Sequence, residues 1–334
     1  MSQVVVGTAR ARPGEIARGA IPVGRGFDGP IEIPAIVARG VEDGPVLWID
    51  GATHGDEPEG SIACWNLAKE VSANQLRGAL VLVPILNLAA STHGSRGNPL
   101  DRVHYDLNRI YPGRPNGRGT ERLAHAYYQE FISKADIVVS LHSGGSTGYM
   151  SRVIYHNQIP TSVELAKAFG PGWDLVVEPA YSVDRHPATG TIEAVCGAKG
   201  KPALVVELGG LSDGLPAGLL QNSRALADGC LNLMRHLKML PGQAERAARW
   251  KLAREWIVQA NSGGFWLPDP TFEFRKRVPE GAVLARIVDA YGDTLEEIKA
   301  PRDGETIGMR TSPYVPLPGD YSVYFAEILR EVTE

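Results

Sequence analysis

From about residue 31 onward, short uninterrupted apolar runs alternate with longer stretches whose apolar residues recur every three or four positions. The runs are Val46-Leu47-Trp48-Ile49-Asp50, Leu80-Val81-Leu82-Val83, Ile137-Val138-Val139-Ser140-Leu141 and Leu204-Val205-Val206. A strand half exposed to water would alternate apolar with polar, so these runs predict strands buried on both faces of a sheet. Between them, Cys64, Leu67, Ala68 and Val71 fall on one helical face, as do Leu123, Tyr127 and Phe131. A third stripe, Leu226, Cys230, Leu233 and Leu237, runs up to Pro241-Gly242, a helix stop. Strands alternating with helices predict an α/β fold with a largely parallel sheet.

After about residue 258 the rhythm changes. Asn261-Ser262-Gly263-Gly264 opens a region of short β-type segments punctuated by Pro268, Pro270, Gly281, Gly292, Gly304, Pro313, Pro316 and Gly319, without a helical stripe. The pattern predicts a smaller all-β domain over residues 258–334, following a main domain over residues 1–257 whose core spans about 30–240. Internal repeats and low-complexity tracts are absent from the sequence.

Composition narrows the class. The chain has 334 residues, 43% hydrophobic and 22% charged, which is ordinary for a globular protein large enough for about two domains. Thirty-four basic against 38 acidic residues give a net charge of -4 with no run of like charges, so neither nucleic acid nor a membrane surface is indicated as a partner. The first residues lack a charged segment followed by a long apolar one, and no 18-residue apolar run occurs anywhere. Cys64, Cys196 and Cys230 are odd in number and form no Cys-x-x-Cys pair, which argues against a disulfide framework and a cysteine metal site. These features together point to the cytoplasm. Oligomeric state is left open, a homo-oligomer included.

Candidate chemistry gathers at the ends of the predicted strands, where open α/β sheets build their sites. His54 follows the first run across Gly51-Ala52-Thr53, His142 closes the third, and Glu207 closes the fourth. His54-Gly55-Asp56-Glu57 is a His-x-x-Glu pair on a turn, and with His142 it would make three ligands for Zn²⁺, leaving a fourth position for water. The competing reading of residues 54–57 is a polar turn whose acids favour the next helix N-terminus. His142 alone could be a satisfied strand-end histidine. Ser143 beside it lacks the Gly-x-Ser-x-Gly elbow of a serine nucleophile. A carboxylate at the end of a buried strand, as at Glu207, is costly unless paired, metal-bound or catalytic, and partial burial would raise its pKa toward a range useful for proton transfer. Asn108 with Arg109, in a loop-like stretch rich in cations, could grip a substrate carboxylate; internal salt bridges of a solvated loop are the alternative.

Together these residues resemble the succinylglutamate desuccinylase/aspartoacylase family of zinc carboxypeptidase-like enzymes. Four segments carry the resemblance over roughly residues 30–240: Gly51-Ala52-Thr53-His54-Gly55-Asp56-Glu57, Asp106-Leu107-Asn108-Arg109-Ile110-Tyr111-Pro112-Gly113, Ala135-Asp136-Ile137-Val138-Val139-Ser140-Leu141-His142 and Pro202-Ala203-Leu204-Val205-Val206-Glu207-Leu208-Gly209. The resemblance implies a mixed sheet flanked by helices, and one zinc per chain on His54, Glu57 and His142. It makes Glu207 the general acid/base, gives Asn108 and Arg109 a substrate carboxylate, and has an upstream arginine, Arg96 or Arg102, polarise the scissile carbonyl. The C-terminal part resembles the family's β domain, with a biotinyl/lipoyl-carrier-like rhythm but no Ala-Met-Lys-Met hairpin, so Lys299 is not an attachment site. In relatives this domain leans over the active-site mouth.

The implied activity is hydrolysis of an amide in a small carboxylate-bearing N-acyl amino acid. The nearest alternative is a metallocarboxypeptidase or cell-wall peptide hydrolase, and a second is a catalytically silent carboxylate-binding protein. Residues between Tyr149 and Ala198, among them His156, Arg185 and His186, are expected to shape specificity.

Overall fold

A computed structural model describes residues 2–333 except Asp28, His104, Tyr105, Gln158, residues 179–189, residues 211–215 and Pro316. Its centre is a twelve-stranded mixed sheet. In spatial order the strands are β13 (Arg277–Val278), β16 (Gly304–Arg310), β18 (Tyr321–Thr333), β11 (Arg249–Gln259), β9 (Leu175–Glu178), β8 (Gly148–His156), β10 (Ala203–Gly209), β7 (Ile137–His142), β5 (Glu42–Gly51), β6 (Arg77–Val83), β4 (Pro30–Arg39) and β3 (Glu15–Arg25). A two-stranded ribbon, β1 (Val4–Val6) with β2 (Ala9–Ala11), precedes it. The four apolar runs lie in β5, β6, β7 and β10, which are mutually parallel neighbours. Outside that block, β8 opposes β10, β4 opposes β6 and β18 opposes β11, so the sheet is mixed rather than largely parallel.

The parallel block is apolar at successive positions because each strand feeds two cores in turn. Leu47, Ile49, Leu80, Leu82, Val139, Leu141, Leu204 and Val206 pack on one face against α1 (Glu59–Glu70) and α6 (Pro216–His236). Trp48, Val81, Val138 and Val205 pack on the other against α3 (Gly119–Lys134) and α5 (Ile192–Gly197). The predicted helical stripes supply the partners: Cys64, Leu67, Leu226, Cys230 and Leu233 on the first face, Leu123, Tyr127 and Phe131 on the second. Each fully buried side chain of this size contributes about 1.5–3 kcal/mol. Two shorter helices, α2 (Leu88–Thr92) and α4 (Pro160–Lys167), complete the set among the described residues.

Helix α6 stops before Pro241-Gly242. Lys238 takes a left-handed φ of 55°, the Lys238 N–H donates to Arg235 O and the Met239 N–H to Met234 O, closing the last turn. Among the described residues no helix is long and apolar enough to cross a membrane.

All described elements beyond residue 258 are strands. Four of them, β15 (Thr294–Lys299), β14 (Val283–Val288), β12 (Gly264–Pro268) and β17 (Tyr314–Val315), form a separate sheet over a core of Trp266, Leu284, Ile287, Ile298, Val323 and Phe325. The others extend the central sheet. Strand β11 runs through residue 258, parallel to β9 on one edge and antiparallel to β18 on the other, so the C-terminal region shares a hydrogen-bonded ladder with the main one.

Candidate metal centre and active site

Three parallel strands bring their carboxyl ends together. After β5 the chain turns sharply through residues 51–54, with the N–H groups of Leu86 and Asn87 donating to Gly51 O and Ala52 O at 3.0 Å each. Ala52 is held at φ 51°, a left-handed conformation costly for a residue with a Cβ, and that turn aims His54 back over the sheet. Gly55 is required for a different reason: a Cβ there would lie 2.1 Å from the backbone carbon of Ala90. His142 ends β7, and Glu207 sits directly beside it in the parallel register of β10.

His54, Glu57 and His142 are buried, with their donor atoms all within 4.8 Å of one another. One Glu57 oxygen lies 2.7 Å from His54 Nδ1 and the other 2.8 Å from His142 Nδ1. Burial opposes ionisation of Glu57, but protons on the two Nδ1 atoms, with the imidazolium charge they bring, outweigh it and hold the carboxyl well below the usual range. Pro58 precedes helix α1 with no side-chain cap, and the Glu57 carboxylate goes to the histidines and not to the helix end.

The far nitrogen of each imidazole is anchored. His54 Nε2 lies 3.0 Å from Asp106 Oδ1, and Asp106 Oδ2 accepts Nε and Nη2 of Arg96 at 3.1 and 2.8 Å. His142 Nε2 lies 3.1 Å from Ser140 Oγ, whose hydrogen goes to Asp50 Oδ1 at 2.6 Å. Ser140 must therefore accept from His142 Nε2–H. Asp50 is fully buried and also accepts the Tyr127 hydroxyl, which in turn accepts Trp48 Nε1–H. With both Nε2 atoms donating outward, a metal that displaced the two Nδ1 protons would meet both Nδ1 lone pairs beside Glu57. Two neutral imidazoles and one carboxylate, each braced from behind, are a donor set that fits a zinc ion.

A cavity of about 420 Å³ opens over this group, lined by the three donors together with Arg96, Asn108, Arg109 and Glu207. Glu207 Oε2 is buried and has no hydrogen-bond partner among the described residues. Burial first, then the charge of Glu57, push its carboxyl well above the usual range, with Arg96 offsetting part of the shift. Asn108 accepts the Ile192 N–H at 2.8 Å through Oδ1, which leaves Nδ2 as the donor for a ligand. Arg109 binds its neighbour's carbonyl, Asn108 O, at 2.8 Å through Nη1. Arg102 does not reach the cavity; it lines a separate surface depression with Asn98, Leu100 and Arg118.

The profile of the succinylglutamate desuccinylase/aspartoacylase catalytic domain matches residues 43–237, more than half of the sequence and all of the proposed site. The chain belongs to the succinylglutamate desuccinylase/aspartoacylase family. It is 29% identical over 318 residues to the N-alpha-acetyl-L-2,4-diaminobutyric acid deacetylase of Halomonas elongata, covering 91% of this chain and 88% of that one. Its fold resembles the product-bound ectoine utilization protein EutE of Ruegeria pomeroyi, with TM-score 0.81, 26% identity and coverage of 97% and 98%. It likewise resembles a succinylglutamate desuccinylase/aspartoacylase of Rhodobacter sphaeroides, with TM-score 0.81, 24% identity and coverage of 96% and 97%.

The rest of this family member's cavity comes from residues the sequence reading did not single out. Tyr155 from β8, Glu193 from α5, Glu255 from β11, and Arg310, Tyr321 and Tyr324 from β16 and β18 complete the lining. Of the stretch between Tyr149 and Ala198, Tyr149, Met150, Tyr155, Thr191 and Glu193 face the cavity. His156 is buried elsewhere, its Nδ1 on Asn157 O at 2.7 Å, and Arg185 and His186 lie outside the described residues. Asp50 and Ser140 did leave a signal: each is a polar residue interrupting or ending an apolar run, which is costly without a partner. Glu193 and Glu255 left none, because nothing local separates them from surface glutamates.

Proposed function

We propose that this chain is a zinc-dependent amide hydrolase that removes the acyl group from a small N-acyl amino acid. One observation carries the reading. A buried His-Glu-His set with both imidazoles braced through Nε2 opens on the same cavity as Glu207, a buried carboxyl with an oxygen left without a partner. A silent binding protein would have no use for that carboxyl.

His54, Glu57 and His142 would hold the metal. Zinc, when bound, supplies Lewis-acid activation of water and of the scissile carbonyl. Glu207 takes the proton of the attacking water and returns it to the leaving amine, so water adds to the acyl carbon, the C–N bond breaks, and a carboxylic acid and an amine leave. Its raised pKa suits the return step, and such proton transfer is worth about 10²–10⁴ in rate. Arg96, rather than Arg102, stands where a cation can stabilise the carbonyl oxygen, because only Arg96 lines the cavity. Asn108 Nδ2 and the Arg109 guanidinium hold the substrate carboxylate. Small substrates are favoured because Arg310, Tyr321 and Tyr324 of the C-terminal region form part of the cavity wall. The acyl diamino acid hydrolysed by the Halomonas relative is of this size and carries the required carboxylate.

The test is a substrate panel on purified protein whose zinc content is measured first. About one zinc per chain is expected, with cleavage of N-acetyl amino acids and refusal of tetrapeptides and longer chains. Efficient release of C-terminal residues from the longer peptides, with acyl amino acids inert, would replace the deacylase reading by a carboxypeptidase. Absence of any hydrolysis by zinc-loaded protein would leave a binding protein.

A further inference from the structure

The segment after His142 has little of its own to hold it in place. Ser143-Gly144-Gly145-Ser146-Thr147 turns from β7 into β8 through two adjacent glycines, and Gly145 takes a left-handed φ of 61°. Ser143, Gly144 and Thr147 nevertheless line the cavity beside the metal-binding residues. The turn has no large apolar side chain to pack, so its position rests on hydrogen bonds.

Two carboxylates that the mechanism does not use supply them. Asp56 and Glu59 flank Glu57 in Asp56-Glu57-Pro58-Glu59, and both are buried, at 6% and 1% exposure. Asp56 Oδ2 accepts the Ser146 N–H at 2.9 Å and the Ser146 hydroxyl at 2.8 Å. The same oxygen seats on Gly145, where a Cβ would lie 2.7 Å from it. Glu59 Oε2 accepts the Ser143 hydroxyl at 2.7 Å. Its Oε1 abuts Gly209, two residues beyond Glu207, where a Cβ would again lie 2.7 Å away. Asp56 Oδ1 is buried with no hydrogen-bond partner among the described residues, a cost to the fold that a purely structural fastening would not need.

The far end of the turn carries the grip to the C-terminal region. Thr147 O accepts the N–H groups of Thr311 and Ser312 at 2.9 and 3.2 Å. Strand β8 pairs with β16 from Gly148 opposite Arg310 to Met150 opposite Gly308, and Arg310 lines the cavity.

We infer that Asp56 and Glu59 are positioning residues for the substrate: they fasten Ser143–Thr147 to the segment bearing Glu57, and so hold the cavity surface beside the metal, and Arg310 beyond it, in register with His54 and His142. Neither carboxylate lines the cavity, so both act through the turn. The inference rests on the deacylase reading for the reaction that is positioned. A surface displaced by about an ångström can cost about 10²-fold in rate without any loss of the reacting groups.

The test compares Asp56→Ala with Asp56→Asn, whose amide oxygen can still accept both bonds from Ser146. Hydrogen exchange is followed on the full zinc-loaded chain. Asp56→Ala is expected to speed exchange about 10-fold over residues 143–149 and 308–312, with Asp56→Asn close to wild type. At saturating zinc, kcat/KM toward an N-acetyl amino acid is expected to fall about 10–10²-fold in the alanine variant and to stay within about 3-fold in the asparagine variant. Zinc affinity should stay within about 3-fold in both. Unchanged exchange in Asp56→Ala, an asparagine variant as impaired as the alanine one, or zinc lost in step with activity would overturn the inference. Faster exchange with kcat/KM unchanged would leave the pair a structural role only and overturn it as well. Ser143→Ala removes the bond to Glu59 from the turn's own side and is expected to speed exchange over the same residues, which keeps the test decisive if Asp56→Ala does not fold; unchanged exchange there would remove Glu59 from the pair. The predicted exchange pattern with no N-acyl amino acid cleaved by the wild type would uphold the fastening and remove the deacylase reading; cleavage with exchange unchanged in the variants would do the reverse.

Discussion

Two parts of the cavity are built on different principles. Behind the histidines the polar groups form chains of support: His54 is held by Asp106, Asp106 by Arg96, His142 by Ser140, Ser140 by Asp50, and Asp50 by Tyr127 and Thr53 as well. Asp50, Ser140 and His142 sit on β5 and β7, between two apolar cores, where a side chain cannot turn without breaking a buried hydrogen bond. Elsewhere on the lining Glu255 has one hydroxyl partner and Glu193 Oε2 has none among the described residues. Chemistry needs donors fixed to a fraction of an ångström, and the chains behind the histidines supply that. The comparison predicts that substitutions in the first part act on metal and turnover, and those in the second on substrate choice.

Glu207 tests the division most severely, since it belongs to the histidine side yet has an oxygen without a partner. Glu207→Gln keeps shape and removes the proton acceptor. Zinc content and the folded state are expected to stay as in the wild type, with kcat reduced by at least about 10²-fold. Near-normal turnover, or loss of zinc, would remove Glu207 from the role assigned to it.

How far the sequence foretold these two parts depends on how local each feature is. The strands β5, β6, β7 and β10 were legible because a strand serving two cores must be apolar at successive positions, and α1, α3 and α6 because their stripes face those cores. The metal side was legible for the same reason, its residues lying at the ends of those strands. Antiparallel pairing of β8 with β10, and the ladder carrying β11, β16 and β18 onto the central sheet, depend on register between distant segments, which no local pattern encodes. Tyr155, Glu193 and Glu255 come from those same distant strands together with α5, so they were hidden with them. Arg96 and Arg102 are six positions apart in one loop region, and only their placement distinguishes them.

That placement gives the next effect in size. Arg96→Lys, which keeps the charge but not the guanidinium fork, is expected to lower kcat/KM by about 10-fold or more, and Arg96→Ala by about 10²–10³-fold, the cost of losing an oxyanion donor. Arg102→Ala, on a surface depression, is expected to stay within about 3-fold of wild type. Zinc content measured alongside distinguishes a carbonyl-polarising role from a merely supporting one through Asp106. Equal losses for Arg96→Ala and Arg102→Ala would contradict the placement.

The smallest effect addresses the bracing itself. Ser140 makes no contact with the cavity, and its hydroxyl links Asp50 to the back of His142. Removing that hydroxyl in Ser140→Ala leaves Asp50 Oδ1 with only the 3.2 Å bond from Thr53 and leaves His142 Nε2 without an acceptor. Unpaired buried groups of this kind cost about 1–3 kcal/mol of stability. A lost outer partner of a metal-binding histidine typically costs about 10–100-fold in metal affinity, which is the range expected here for zinc titrated against a competing chelator. At saturating zinc the preference among substrates should stay that of the wild type, because Tyr155, Glu193 and Glu255 are untouched. Tyr155→Phe is the converse experiment: it removes the hydroxyl that Glu255 accepts, so zinc affinity should stay constant while the discrimination among substrates shifts. If Ser140→Ala changed substrate preference, or Tyr155→Phe changed zinc affinity, the two parts of the cavity would be one coupled unit, and the division of metal binding from substrate choice would fail.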